Sequence, residues 1–151
     1  MIALASDHGG YAMKEALKKH LEELGLEYRD YGTTSDARCD YPIYAEAAAR
    51  AVASGEAARG VVICTTGVGV SIAANKVRGI RCALCSDCYT AEMTRRHNNA
   101  NMLAMGASVI GQGLANKLLD IFLNTPYEGG DGSRHARRLE LIAEIERRER
   151  G

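Results

Sequence analysis

The sequence contains no tryptophan, a single phenylalanine and only two prolines among its 151 residues. With so few aromatic rings, we do not expect a stacking platform for single-stranded nucleic acid. Nineteen basic residues balance nineteen acidic ones, so no net field draws the chain to nucleic acid or to an anionic membrane. No apolar run approaches the roughly 20 residues that cross a bilayer. We therefore expect neither a nucleic-acid partner nor a membrane partner.

Cysteine usage indicates the compartment. The five cysteines are an odd number and lack the density of a small disulfide scaffold, which favours reduced thiols. The first residues lack the basic start of a secretory signal peptide. We therefore expect a cytoplasmic protein, and the length suits one domain over residues 1–151.

Short apolar runs alternate with helical patterns along the whole chain. Strands are predicted at 2–5, 27–31, 61–64, 80–85 and 102–110, the last one interrupted at Gly106, and helices at 13–24, 41–54, 71–76, 89–96, 114–123 and 134–148. Such alternation predicts a parallel sheet with helices on both faces. Ligands of such sheets bind beyond the carboxyl ends of the strands, where Asp7, His8, Cys64 and the pair Ser86-Asp87 fall.

The most informative stretch covers residues 61–76. An apolar strand ends in Cys64, a turn with Gly67 and Gly69 follows, and a helix is predicted next. The free N–H groups and the dipole of a helix start favour negative charge, including that of a thiolate. A base beside an oxyanion site fits proton abstraction next to a carbonyl. A buried cysteine above a tight turn fits these residues equally well.

Two cofactor classes are disfavoured by spacing. Gly67-x-Gly69 follows a strand, but residue 72, where a dinucleotide fingerprint needs its third glycine, is isoleucine. Cys82, Cys85 and Cys88 have metal-like spacing, yet the first two point to opposite faces of one strand and no suitable fourth cysteine follows. We expect these cysteines to pack in the core.

Polar residues late in the chain allow two interpretations each. Arg134 and Arg138 share one helix face and fit either a phosphate held by two guanidinium forks or ordinary solvated charge. His97 and Asn98 are predicted in a polar loop after a helix, which is either a plain turn or a proton-transfer site at a sugar hydroxyl. His135, on another helix face, and His20, among lysines, are expected to add nothing chemical.

These motifs occur in one order that resembles the type B ribose-5-phosphate isomerases and their relatives acting on allose 6-phosphate and galactose 6-phosphate. The resemblance covers essentially the whole chain. It is carried by residues 6–10 (SDHGG), 40–42 (DYP), 64–76 (CTTGVGVSIAANK), 79–81 (GIR), 97–98 (HN), 127–130 (YEGG) and the arginines of 134–138 (RHARR).

The family resemblance implies a five-stranded, Rossmann-like αβα sandwich that forms a homodimer or a tetramer. It implies an aldose–ketose isomerisation that needs no metal and no cofactor. Cys64 would move a proton between C1 and C2 through an enediolate, and His97 would open the furanose ring with help from Asp7 and Thr66. His97 and Asn98 would come from the neighbouring subunit. The substrate contacts implied are Asp7, His8, Tyr41, Thr65, Thr66, Gly67, Val68, Gly69, Asn98, Ser108, Arg134 and Arg138, with the phosphate on His8 and the two arginines.

The chain departs from the family pattern at two places. Many relatives carry a phosphate-binding arginine where this chain has Ser108, and residues 131–133 form an insertion before the arginine pair. Some members use a glutamate as base, whereas this chain has Cys64, and Ser71 rather than an acid after the glycine turn. We expect a ribose 5-phosphate isomerase; the alternatives are a hexose 6-phosphate isomerase and a non-catalytic sugar-phosphate-binding protein.

Overall fold

A five-stranded parallel sheet forms the centre of the molecule in the computed structural model, which describes residues 1–150. The strands are β1 (Ile2–Ser6), β2 (Tyr28–Asp30), β3 (Arg59–Cys64), β4 (Cys82–Leu84) and β5 (Met102–Gly106). They lie in the order β2-β1-β3-β5-β4, and each neighbouring pair is parallel. This confirms the predicted parallel sheet.

Six α-helices connect or follow the strands. They are α1 (Tyr11–Glu23), α2 (Tyr41–Ala53), α3 (Val68–Asn75), α4 (Cys88–Asn98), α5 (Gln112–Asn124) and α6 (Arg134–Arg150), and a short 3₁₀ turn, His8–Gly10, precedes α1. No helix within residues 1–150 is both long enough and apolar enough to span a bilayer.

Successive strand residues point to opposite faces of the sheet, and each face has its own core. On one face, Leu4 and Ile63 pack with side chains of α1, α4 and α5, among them Phe122. On the other face, Val62 and Cys64 pack with the small side chains of α2 and α3. The predicted three-layer αβα sandwich is therefore confirmed.

The cysteines of the metal-like pattern belong to these cores. Cys85 lies in the first core and Cys82 packs against the second, so the two do point to opposite faces as predicted. Burial raises the pKa of the Cys82 thiol to about 12 and also raises that of Cys85. Both are protonated packing residues at neutral pH.

Three predicted boundaries were wrong. The last strand ends at Gly106, because a turn returns the N–H groups of Val109 and Ile110 to the Gly106 carbonyl. Helix α3 starts at Val68 rather than Ser71, directly after left-handed Gly67 (φ 79°). His97 and Asn98 lie in the last turn of α4, not in a loop, since the helix ends only at left-handed Asn99 (φ 45°). Strands β2 and β4 are also shorter than predicted.

A buried lysine ties the segment after β2 to α1. Lys14 is fully buried, and its ammonium group donates to Asp30 Oδ1 at 2.6 Å and to the Thr33 carbonyl. Burial alone would raise the pKa of the Asp30 carboxyl, but hydrogen bonds from Lys14, the Gly32 N–H and Lys18 lower it below its usual value. These contacts hold the segment from Asp30 to Thr33, at the end of β2, against α1.

Candidate active site

Cys64 is the last residue of β3, and the turn that follows it places a backbone donor on its sulfur. The Gly67 N–H donates to Cys64 Sγ at 3.1 Å, and the side chain is only 5% exposed. A Cβ at Gly67 would lie 2.5 Å from Leu84 Cδ1 and 2.8 Å from the backbone carbon of Met105. Only glycine therefore fits this turn, which holds a donor in place to stabilise negative charge on the sulfur.

The loop after β1 packs directly beside this turn. Asp7 is buried; its N–H donates to the Ile63 carbonyl at 3.3 Å, and its Oδ1 accepts the Gly10 N–H at 3.1 Å. A Cβ at Gly9 would lie 2.3 Å from Thr65 Oγ1, so this glycine permits the two loops to touch. Between β1 and β3 the strand order switches direction, which is where open α/β sheets bind ligands.

His8 and Tyr41 complete the rim of this edge. His8 Nδ1 accepts the Cys39 N–H at 3.2 Å, so the neutral imidazole carries its proton on Nε2. Tyr41, at the start of α2, lies against Gly69, where a Cβ would be 2.7 Å from the phenol ring. Asp40 occupies the N-cap position of α2, but its side chain makes no capping hydrogen bond.

The end of β5 brings Ser108 to the same place. Its N–H donates to the Thr65 carbonyl at 3.0 Å, and the Ala107 N–H donates to the Cys64 carbonyl at 2.9 Å. Thr66 Oγ1 accepts the Val68 N–H at 3.2 Å. We call the following residues the carboxyl-edge cluster: Asp7, His8, Tyr41, Cys64, Thr65, Thr66, Gly67, Val68, Gly69 and Ser108. At the end of β4, Asp87 caps α4 instead, accepting the Thr90 N–H at 2.7 Å.

The remaining predicted site residues lie at the opposite edge of the sheet. The Asn98 carbonyl accepts from Arg81, directly before β4, at 3.0 Å, and the Asn101 carbonyl accepts from Gly60 at the start of β3. The end of α4 therefore lies where the strands begin. The six residues of β3 separate that edge from Cys64 by about 17 Å, at roughly 3.3 Å per residue.

Helix α6 begins beside the same end of α4. His135 stacks on His97, with ring centroids 4.3 Å apart and planes 10° from parallel, and Arg134 and Arg138 are exposed on this helix. The arginines thus accompany His97, not His8. We call His97, Asn98, Arg134 and Arg138 the amino-edge cluster.

Sequence reasoning missed one residue at the amino edge and misjudged another. His135 was expected to face elsewhere, but it is buried against His97. Desolvation, together with positive charge on His97, Arg134 and Arg138, lowers its pKa. Glu128 Oε2 lies 4.0 Å from His97 Nε2, while Oε1 pairs with Arg96. The spacing of residues within one helix or strand does not predict contacts between side chains of three separate segments.

His20 is also engaged rather than simply solvated. Its Nε2 lies 2.6 Å from Asp120 Oδ1, and this pair links α1 to α5. It gives His20 a structural role.

The geometry defines a class: a Rossmann-like α/β protein with a thiol beneath backbone donors at the strand-order switch point. The model of the family described as Ribose/Galactose Isomerase matches residues 2–142. The chain belongs to that family, whose members are isomerases.

Three relatives show the extent of the likeness. "Ribose-5-phosphate isomerase B" of Escherichia coli (strain K12) is 49% identical over 147 residues, which is 97% of each chain. The solved structure of Clostridium thermocellum Ribose-5-Phosphate Isomerase B has a TM-score of 0.95 and 47% identity, covering 98% of each chain. "Galactose-6-phosphate isomerase subunit LacB" of Clostridium acetobutylicum is 42% identical, over 85% of this chain and 74% of the relative.

Proposed function

We propose that this chain interconverts D-ribose 5-phosphate and D-ribulose 5-phosphate. The observation that carries the proposal is the Cys64 sulfur held 3.1 Å from the Gly67 N–H at the ligand edge of an isomerase fold. The Cys64 thiolate removes the C2 proton of the open-chain aldose, and the electron pair forms the C1–C2 double bond as charge moves to O1. Return of that proton to C1, with transfer of the O2 proton to O1, gives the ketose.

The turn after Cys64 is suited to the negative charge of the enediolate. Helix α3 starts at Val68, so the N–H groups of its first turn lack intrahelical acceptors. Of these, the Val68 N–H is taken by Thr66 Oγ1, whereas those of Gly69 and Val70 remain for a ligand. Donors fixed in this way cost no reorganisation as charge develops.

We further propose that each active site is shared between two copies of the chain. His97 is the acid proposed to open the furanose ring with Asp7 and Thr66. It lies at the opposite edge of the sheet from Cys64, and the two edges are about 17 Å apart along β3, too far for both residues to act on one sugar. A second copy can bring its amino-edge cluster to the carboxyl edge of the first. Exposed apolar residues at both edges support such contact: Val68 and Ile72 on α3, and Ile142 and Ile145 on α6. A twofold homodimer is the simplest assembly, and a tetramer is built from such dimers.

The phosphate is assigned to His8 of one copy with Arg134 and Arg138 of the other. Arg138→Ala is expected to weaken the binding of the substrate and the binding of inorganic phosphate by similar factors, because both would use the same contacts. One charge-assisted contact contributes about 1.5–3 kcal/mol, or roughly 10- to 150-fold in affinity. The loss of affinity is measured from the KM for ribose 5-phosphate and from the inhibition constant of phosphate.

Arg137→Ala is the matched control, because Arg137 is also exposed and points about 100° around α6 from Arg138. It should leave both constants near the wild-type values. An unchanged KM in Arg138→Ala would show that the insertion at 131–133 has moved this helix away from the phosphate.

A hexose 6-phosphate is the second candidate substrate, favoured by Ser108 in place of the family's arginine and by the galactose-6-phosphate relative. We expect kcat/KM for ribose 5-phosphate to exceed that for allose 6-phosphate by at least about 10-fold, since a pocket discriminates one carbon unit by roughly 10- to 200-fold. A larger kcat/KM for allose 6-phosphate than for ribose 5-phosphate would identify a hexose 6-phosphate as the substrate. Absence of solvent exchange at C2 of either bound sugar would indicate a binding protein without turnover.

We also propose that the protein works in the cytoplasm as one domain over residues 1–151. All five cysteines are free in the structure, which fits a reducing compartment. A base that must be a thiolate also requires that its sulfur stay reduced.

A further inference from the structure

Three potential metal ligands converge beside the end of α4, outside the carboxyl-edge cluster. His97, Glu128 and His135 each offer one ligand atom, and all three atoms lie within 4.8 Å of one another. They come from α4, from the segment after α5 and from the first turn of α6. We call these three residues the His-Glu-His cluster.

The donor set is that of a zinc-type site. Two imidazole nitrogens and one carboxylate oxygen, with a coordination position left for water, make up a common three-ligand arrangement for Zn²⁺. Imidazole also suits Co²⁺, Ni²⁺ and Cu²⁺. Nothing in the proposed isomerisation needs Glu128 or His135 as reacting groups.

The side chains must rotate to bind one ion. An imidazole nitrogen binds through a lone pair in its ring plane, and the planes of His97 and His135 lie 10° from parallel, so the His97 ring must turn out of this stack. Ligand distances of about 2.0–2.1 Å in a tetrahedral site require the donor atoms to lie roughly 3.4 Å apart, about 1.4 Å closer than the 4.8 Å limit. The side chains of His97 and Glu128 are 40% and 39% exposed, so both can rotate. Glu128 Oε1 pairs with Arg96, which leaves Oε2 on the His97 side.

We propose that the His-Glu-His cluster binds a divalent transition-metal ion such as Zn²⁺, and that this ion inhibits the enzyme. Binding follows from the three donors alone. Inhibition rests on the proposed function of His97, because a metal on its nitrogen prevents that ring from transferring a proton. The ion is therefore an inhibitor and not a cofactor, so chelation should leave activity intact or raise it.

Titration with Co²⁺ tests the binding step, because cobalt reports its own ligands. We expect visible d–d bands of a low-coordinate nitrogen- and oxygen-bound ion, without the near-ultraviolet charge-transfer band of a cobalt–sulfur bond. Zn²⁺ should displace the cobalt and abolish the bands. Full binding in Cys64→Ala would show that the Cys64 thiol is not a ligand.

Glu128→Gln and His135→Gln test the ligands one at a time. Even an outer-shell partner of a metal contributes roughly 10- to 100-fold in affinity, so each ligand change should weaken Zn²⁺ binding by at least about 10-fold. Glu92→Gln is the matched control: Glu92 also pairs with Arg96, at 3.0 Å, but it is not part of the cluster. It should bind Zn²⁺ like the wild type.

The inhibition arm compares each protein with itself, with and without Zn²⁺. Zn²⁺ should slow isomerisation in the wild type and in Glu92→Gln, and much less in Glu128→Gln. Equal Zn²⁺ affinity in the wild type and both ligand variants, or a cobalt–sulfur band, would overturn the proposed site. Binding lost in the ligand variants without any inhibition in the wild type would confirm the metal site and instead contradict the role of His97.

Discussion

Cys64→Ala is expected to abolish isomerisation while the protein stays folded. A positioned proton-transfer group contributes about 10²–10⁴-fold, and kcat should fall by at least that range because the alanine leaves no other base beside the Gly67 N–H. The side chain it removes is small and lies at the end of a strand, so folding should survive. A coupled ribulose 5-phosphate assay and circular dichroism measure the two outcomes.

Other cysteines provide the controls for this result. Cys82→Ala and Cys88→Ala should leave kcat near the wild-type value, because Cys82 packs in the core and Cys88 opens α4. Iodoacetamide should inactivate the enzyme in step with modification of Cys64. Full activity in Cys64→Ala, or activity lost on addition of EDTA, would contradict the thiolate mechanism.

The sheet and the carboxyl-edge cluster could be predicted because both depend on local patterns. Alternating runs of apolar and helical spacing define strand–helix units, and the parallel sheet follows from the preference for such connections. Asp7 directly follows β1 and Cys64 ends β3, so their convergence follows from topology. The same reasoning correctly set Cys82 and Cys85 on opposite faces.

The amino-edge cluster could not be located in this way. His97 was expected in a loop, yet it lies in the last turn of α4, because the left-handed residue that ends the helix is Asn99 (φ 45°) and not a glycine. The stack of His135 on His97 joins two helices through residues 38 positions apart in sequence, and spacing within one helix carries no information about it. The turn at Gly106 depends on a close approach to Thr66, which is a tertiary contact.

The separation of the carboxyl-edge and amino-edge clusters limits what one chain can do in catalysis. Substrate groups that meet one cluster cannot meet the other within one chain, since β3 separates them by about 17 Å. The amino-edge cluster contains the proposed acid His97 but no base. The carboxyl-edge cluster contains the proposed base Cys64 but not that acid. Association of two chains would complete two sites at once.

Mixing two inactive variants should therefore restore activity. Cys64→Ala and His97→Ala homodimers are each expected to be nearly inactive. Unfolded together in equal amounts and refolded, they should give about half heterodimers, each with one site carrying both defects and one site carrying neither. Activity should recover to roughly a quarter of the wild-type value, measured after native mass spectrometry has established the heterodimer fraction.

One further pair from the same cluster and one from different clusters sharpen the test. Cys64→Ala mixed with Asp7→Asn should give no recovery, because every heterodimer site would hold one defect. Cys64→Ala mixed with Arg138→Ala should recover, since the structure groups Arg138 with His97 and not with His8. If each site instead used Cys64 and His97 of one chain, every site in the first mixture would keep one defect. No recovery there, despite verified heterodimers, would reject the shared site and leave the isomerase assignment intact.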